Sequence, residues 1–282
     1  MKKIIVPTDF SKLSGYALDF AVKLANPLDA EIVVLHLEEV PLGDLSLNLS
    51  GEAGGSQIST DSLYIAQLFR ANKQKLEALR VEYSNENVSV HQAGGGFLKG
   101  IEHYVENHGA DLVVIGTTGQ ESIHEFFSGN HTEQLIEHLS VPVISLQDKQ
   151  FHKIEDIVLG LDIEDEVYTK KIFEHVKMIT EALDARLHIV DITKSSKDEE
   201  LLSRLNKIAK IAGLSNYMVD VIEDKHASAA LLNYAQGADA SLIITLSEAR
   251  SGFQRFLQHS FSTRLTKKSS IPVMTINKGH FF

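Results

Sequence analysis

The chain has 282 residues, 43% hydrophobic and 23% charged, which is ordinary globular material with room for two medium domains. It has no cysteine, which excludes disulfides, thiol catalysis and cysteine-ligated zinc or iron–sulfur centres. Residues 1–148 carry 9 Lys+Arg against 20 Asp+Glu and residues 149–282 carry 18 against 18, so the net charge of −11 lies in the first half and argues against nucleic-acid or acidic-membrane binding there.

The opening Met1-Lys2-Lys3-Ile4-Ile5-Val6-Pro7 has too short an apolar stretch for a signal peptide, and no run of about eighteen apolar residues follows. A cytoplasmic protein without a membrane partner is expected. Ile4-Ile5-Val6 reads as a first strand, and Leu13, Ala17, Phe20 and Leu24 as the apolar stripe of a helix. Ile32-Val33-Val34-Leu35 is a second strand, followed by a Gly/Ser/Leu-rich stretch at 41–62 that reads as a mobile loop beside the end of that strand. A helix with Ile65, Phe69, Leu76 and Leu79, a strand at Val88-Ser89-Val90 and a helix with Leu98, Ile101 and Val105 come next. Leu112-Val113-Val114-Ile115 is a fourth strand, Leu135, Ile136 and Leu139 mark another helix, and 141–146 closes the series as a fifth strand. Alternating strands and helices imply a twisted parallel sheet covered on both faces.

After Asp148 the pattern restarts, with strands at Ile157-Val158-Leu159 and Leu187-His188-Ile189-Val190 and helices bearing Ile172/Val176/Ile179/Leu183 and Leu201/Leu205/Ile208. Ile5-Val6-Pro7-Thr8-Asp9 matches Val158-Leu159-Gly160-Leu161-Asp162 at an offset of 153, and Ser140-Val141-Pro142-Val143 matches Ser270-Ile271-Pro272-Val273 at an offset of 130. The chain is thus an internal duplication, with domains at 1–148 and 149–282. The second copy is 23 residues shorter between these matches, and the 41–62 stretch accounts for the excess.

In an open parallel α/β sheet, ligands bind outside the carboxyl ends of the strands where the strand order reverses. Thr8-Asp9, His36-Leu37, Gly94-Gly95-Gly96 and the loop that starts at Gly116 all fall on that edge. Gly116, Gly119 and Gly129 link a strand to a helix, so the loop can aim backbone N–H groups at an anion, and the helix start near Asn130 adds its own unpaired donors. The plainer reading is that the glycines make turns and Asn130 caps the helix, with Glu133 completing a capping box. Asp9 admits two compatible readings: a carboxylate that accepts hydrogen bonds from a ribose or a base, and an N-cap for the helix containing Leu13, with Ser11 also nearby.

These residues resemble the universal stress protein family in its tandem, two-domain form. The likeness rests on Ile4-Ile5-Val6-Pro7-Thr8-Asp9-Phe10-Ser11, His36-Leu37, the run from Gly109 to Gly116, Val141-Pro142-Val143, and above all a glycine signature. In that signature two residues separate the first glycines, nine precede the third, and Ser or Thr follows; here Asn130 takes the last place. The resemblance implies two tandem open five-stranded parallel-sheet domains of Rossmann-like, adenine nucleotide alpha hydrolase-like fold. It also implies ATP, with Mg²⁺, in the first. Asp9 and the backbone of Leu37 would meet the adenosine, Gly95 would approach from the third strand's loop, and Gly116, Gly119 and Gly129 would hold ribose and phosphates. Asn130 would stand in for a phosphate-binding hydroxyl, since its amide also donates, and the Thr132 hydroxyl would add a contact. His131, between them, reads as a surface imidazole.

The second copy departs from the signature: Leu246, Ala249 and His259 replace the glycines and Ser260 replaces Asn130, so no ATP is expected there. Gly94-Gly95-Gly96-Phe97-Leu98-Lys99-Gly100 fits neither a dinucleotide fingerprint nor a Walker loop. The histidines form no metal-ligand spacing, and no catalytic set is recognisable, so neither a metal centre nor an enzyme is expected. The reading is an ATP-binding regulator that acts on an unidentified protein partner. By family resemblance its last strands pair within the chain as a pseudo-dimer, and a homodimer is open. Two alternatives remain: a nucleotide-free interaction module and a slow ATPase.

Overall fold

The structure is a computed structural model that describes residues 1–38, 60–117, 129–147, 153–161, 166–193, 199–247, 265–266 and 268–277. The first half runs β1 (Lys3–Pro7), α1 (Lys12–Leu28), β2 (Glu31–Glu38), α2 (Thr60–Glu82), β3 (Val88–Gly94), α3 (Phe97–His108), β4 (Leu112–Gly116), α4 (Gly129–His138) and β5 (Val143–Leu146). The second runs β6 (Asp156–Leu161), α5 (Glu166–Leu183), β7 (Arg186–Thr193), α6 (Glu199–Ile211), β8 (Tyr217–Glu223), α7 (Ala227–Gly237), β9 (Leu242–Ser247) and β10 (Val273–Asn277). Of the 41–62 stretch, residues 41–59 lie outside the described residues and 60–62 already belong to α2. The fifth strand starts at Val143 rather than Val141. Pro142 has no N–H for the ladder and contributes only its carbonyl, to the Val113 N–H at 3.0 Å.

Each half is a five-stranded parallel sheet, and the two join edge to edge in the order β3-β2-β1-β4-β5-β10-β9-β6-β7-β8. The join is antiparallel, with Val273 opposite Ser145, Met274 opposite Ile144 and Thr275 opposite Val143. Met274 is the 130-residue equivalent of Ile144, so this pair marks a pseudo-two-fold axis, about which Val143 faces Thr275 and its counterpart Val273 faces Ser145, the counterpart of Thr275. The pairing expected within the chain is therefore present. It abolishes two exposed strand edges.

The apolar strand runs are buried because helices cover both faces. On one face α1 packs against α5, and a single core includes Ala17, Phe20 and Leu24 of α1 together with Ile172, Phe173 and Val176 of α5. On the other face the halves keep separate cores, one under α3 and α4 around Leu37, Ile101 and Leu135, the other around Leu231 of α7. In α2 only Leu76 of the expected stripe is fully buried, while Ile65, Phe69 and Leu79 are half-buried and Leu63, Tyr64 and Leu68 are exposed. Among the described residues no helix is long and apolar enough to cross a membrane.

At the amino-terminal edge of the second half, Asp156 accepts hydrogen bonds from Arg186 Nε at 2.6 Å and His188 Nε2 at 2.8 Å. Burial works to raise the Asp156 carboxyl, but the bonds from Arg186 and His188 outweigh it and hold the group below the usual carboxylate range. A carboxyl depressed in the native state stabilises the fold above its unfolded value, about pH 4, and that contribution is lost as pH falls through the native value. Asp156→Asn is therefore expected to lower the urea midpoint at pH 7 and to narrow the gap to wild type in acid. A gap unchanged down to pH 2 would contradict this.

Candidate functional site

The strand order reverses between β1 and β4, because β1 leads to β2 on one side while β4 lies on the other. An open parallel sheet forms a crevice outside the carboxyl ends at such a point, and the turn after β1, the end of β2 and the start of α4 follow the strands there. The turn is built locally. Asp9 Oδ1 accepts the Ser11 N–H at 2.9 Å, Thr8 Oγ1 accepts the Phe10 N–H at 3.1 Å, and Ser11 Oγ accepts the Ser14 N–H at 3.3 Å as the N-cap of α1. Of the two readings of Asp9, the cap belongs to Ser11, and Asp9 instead shapes the turn that precedes it. Phe10, between them, sits at φ 64°, a left-handed conformation that is strained for a bulky residue and is held by these flanking bonds.

Strand β2 runs beyond its last partner on β1, where Pro7 stands opposite Leu35, so the backbone of His36, Leu37 and Glu38 borders the crevice. His36 Nδ1 donates to the Thr8 carbonyl at 2.7 Å and ties this extension to the turn, which fixes the proton on Nδ1. Its Nε2 lies 3.4 Å from Glu38 Oε1. Glu38 is itself buried and accepts from Asn72 Nδ2 at 2.9 Å and Gln92 Nε2 at 2.7 Å, so a polar cluster locks β2, β3 and α2 together behind the crevice. Sequence reasoning named His36 only as the end of a strand and missed this cluster. Glu38 follows directly on the His36-Leu37 pair, and a charged residue closing an apolar strand was the available signal.

The Leu37 side chain turns away from the crevice and packs on α3, where a Cβ placed on Gly100 would lie 2.6 Å from Leu37 Cδ2. Gly95 has φ 120°, which requires glycine, and its N–H donates to the Glu38 carbonyl at 3.2 Å. Gly116 ends β4, and there a Cβ would stand 2.3 Å from the Leu13 carbonyl oxygen and 2.5 Å from its carbon. The glycine thus admits the first turn of α1 against β4, a packing reason that the sequence did not disclose. Gly119 lies outside the described residues.

Gly129 and Asn130 form the first residues of α4, so the backbone N–H groups of a helix start face the crevice edge. Thr132 in the same turn is 1% exposed, and its Oγ1 has no hydrogen-bond partner among the described residues. A buried hydroxyl without a partner is uncommon and calls for a ligand or a water. His131 is not a surface imidazole: it is half-buried and meets the Phe97 ring edge-on, with centroids 4.7 Å apart. No group of three or more His, Asp or Glu side chains among the described residues could hold a metal ion. In the second half Leu246 occupies the Gly116 position at the end of β9, half-buried, while Asp162, Ala249, His259 and Ser260 lie outside the described residues.

A doubly wound sheet in two tandem copies, with a Gly-bearing crevice at the switch point of the first, defines a Rossmann-like protein of duplicated form. The universal stress protein family model matches residues 1–146 and again 153–277, and the chain belongs to that family. Universal stress protein Slr1230 of Synechocystis is 24% identical across 98% of this chain and 99% of its own length. The crystal structure of a universal stress protein from Archaeoglobus fulgidus superposes with TM-score 0.76 at 17% identity, covering 98% of both chains. A solved universal stress protein in complex with cAMP matches 45% of this chain and 99% of its own, at 20% identity and TM-score 0.38.

Proposed function

We propose that the first half binds one adenine nucleotide, ATP, in the β1/β4 crevice, and that the second half serves as a built-in partner in a cytoplasmic stress-response regulator. What supports this reading is that the Asp9 turn after β1 and the first turn of α4 after β4 follow the two strands between which the sheet order reverses, and that the buried Thr132 hydroxyl in that helix turn has no partner among the described residues. In this reading Asp9 and the Leu37 backbone hold the adenosine. Gly95 leaves room beside them, and Gly116, Gly119 and Gly129 let phosphates approach the start of α4. Asn130 and Thr132 donate to those phosphates. Mg²⁺ would be carried by the phosphates and water, which suits a cation that keeps much of its hydration and needs few protein ligands. Occupancy would shift the population of a surface read by another protein.

Denaturing the purified protein and identifying released nucleotide by chromatography with mass detection tests the reading, with about one equivalent expected. Adding ATP at a hundredfold excess over Kd is expected to stabilise the protein by about 2.7 kcal/mol. Thr132→Val keeps the shape of the residue and removes the hydroxyl, and it is expected to weaken ATP at least several-fold while leaving the apo melting temperature near that of wild type. Release of nothing, with no ATP effect on melting, would leave a nucleotide-free interaction module.

A further inference from the structure

On the opposite face of the first half, a cleft of about 390 Å³ opens between α1 and α2 over β1 and β2. Val6 and Val34 form its floor, Leu18 and Leu79 its walls, and Lys75 and Glu82 lie along it. The volume and the mostly apolar lining with a few polar groups are those of a small-molecule site.

The equivalent place in the second half is packed. Glu31 and Arg186 begin β2 and β7, which relates the halves here by 155 residues, and all the buried positions of α1 but Phe20, namely 14, 17, 18, 21, 24 and 25, recur in α5 as 169, 172, 173, 176, 179 and 180. Leu18 thus corresponds to the larger Phe173, which is fully buried. Val88 and Tyr217 begin β3 and β8, a shift of 129, so the half-buried Leu79 corresponds to Ile208, 4% exposed. There α5 packs directly on α6.

The cleft in the first half does not close, because α2 is pinned at two points. Asn72, at the middle of the helix, donates to Glu38 at 2.9 Å, and the hydroxyl of Tyr83, just past its carboxyl end, donates to Asp19 of α1 at 2.6 Å. Burial and the Asp19 acceptor both raise the Tyr83 hydroxyl, so this second tie is intact at neutral pH. The space is therefore preformed.

We infer that this cleft is a second ligand site, for a small, largely apolar molecule carrying one acidic group. The apolar body lies on Val6, Val34, Leu18 and Leu79, and the acid pairs with Lys75, whose Nζ stands 4.9 Å from the Phe10 ring centroid. Phe10 also contacts His36, with ring centroids 4.6 Å apart, and belongs to the strained turn that follows Asp9. A ligand here touches Thr8, Phe10 and Ser11 of the turn that also borders the β1/β4 switch point. If the crevice takes nucleotide, any change the ligand makes in nucleotide affinity must be returned equally on its own.

The probe is 1-anilinonaphthalene-8-sulfonate, an aromatic sulfonate whose fluorescence rises in apolar surroundings, titrated into the full chain. One saturable site is expected. Leu18→Phe, which copies the residue of the second half, is expected to weaken it at least tenfold while the melting temperature holds or rises, and Lys75→Gln at least threefold. Should Leu18→Phe fail to fold, Ala78→Leu on the opposite wall reads the same quantity. Dye binding unchanged in these variants would overturn the proposal and place the dye elsewhere, the exposed Leu63, Tyr64 and Leu68 included. One-for-one displacement by ATP would overturn it too. The dye result does not depend on whether ATP binds at all.

Discussion

Replacing Gly116 with valine is expected to destabilise the protein by about 3 kcal/mol, at the upper end of what overpacking ordinarily costs. The first atom of any side chain there would lie 2.3 Å from the Leu13 carbonyl oxygen. That obstacle is backbone rather than the far end of a flexible side chain, and it cannot rotate aside. It sits in the first turn of α1, held by the Ser11 cap and by the buried Ser14, Ala17 and Leu18. Relief requires moving α1, and α1 shares one core with α5 of the second half. A fall in melting temperature of roughly 6–12 °C is expected by differential scanning calorimetry, at 2–4 °C per kcal/mol for large chains. A variant that melts with wild type would mean the close approach is not maintained in solution. The same geometry makes Gly116 a poor probe of nucleotide binding, since loss of ligand and loss of fold would arrive together. Thr132→Val separates them.

The second large effect concerns the seam between the halves. A fragment comprising residues 1–148 is expected to run as a dimer on size exclusion with light scattering, where the full chain serves as its own partner. Removing the second half exposes β5 as an edge strand and strips α5 from α1, which leaves the α1 side of the core open. The register shows how a second copy would answer both losses: Ile144 faces Met274, its own counterpart, so two copies of β5 can pair antiparallel about a true two-fold axis with Ile144 opposite Ile144. Ile144→Lys in the fragment should abolish that dimer, because two like charges would be forced together across the seam. A stable, monomeric fragment would show that each half closes its own core, which would favour domains at 1–148 and 149–282 that fold independently.

Much of the architecture was legible in the chain because the signals are local. Runs such as Ile4-Ile5-Val6 and Leu112-Val113-Val114-Ile115 are apolar on both faces, which only a covered parallel strand requires, and the helical stripes at Leu13/Ala17/Phe20/Leu24 and Leu135/Ile136/Leu139 mark the layers that cover them. Duplication was legible because two short matches at different offsets also located the extra residues. Where the periodic signal was weakest, in α2, the expectation was least accurate. Ile65, Phe69 and Leu79 recur at helical spacing but remain half-buried, Leu79 because it lines the cleft between this helix and α1.

The sequence by itself determined the alternation of strands and helices, the duplication and the family, because each depends on residue type and spacing along the chain. Only the tertiary structure decided that Gly116 is demanded by the Leu13 backbone, that Ser11 rather than Asp9 caps α1, and that the Thr132 hydroxyl is buried without a partner among the described residues. It alone revealed the cluster of His36, Glu38, Asn72 and Gln92 and the cleft left open by Leu18 where the second half has Phe173. These are contacts between atoms remote in sequence, and their distances follow from how helices seat on the sheet rather than from any pattern a single strand or helix carries.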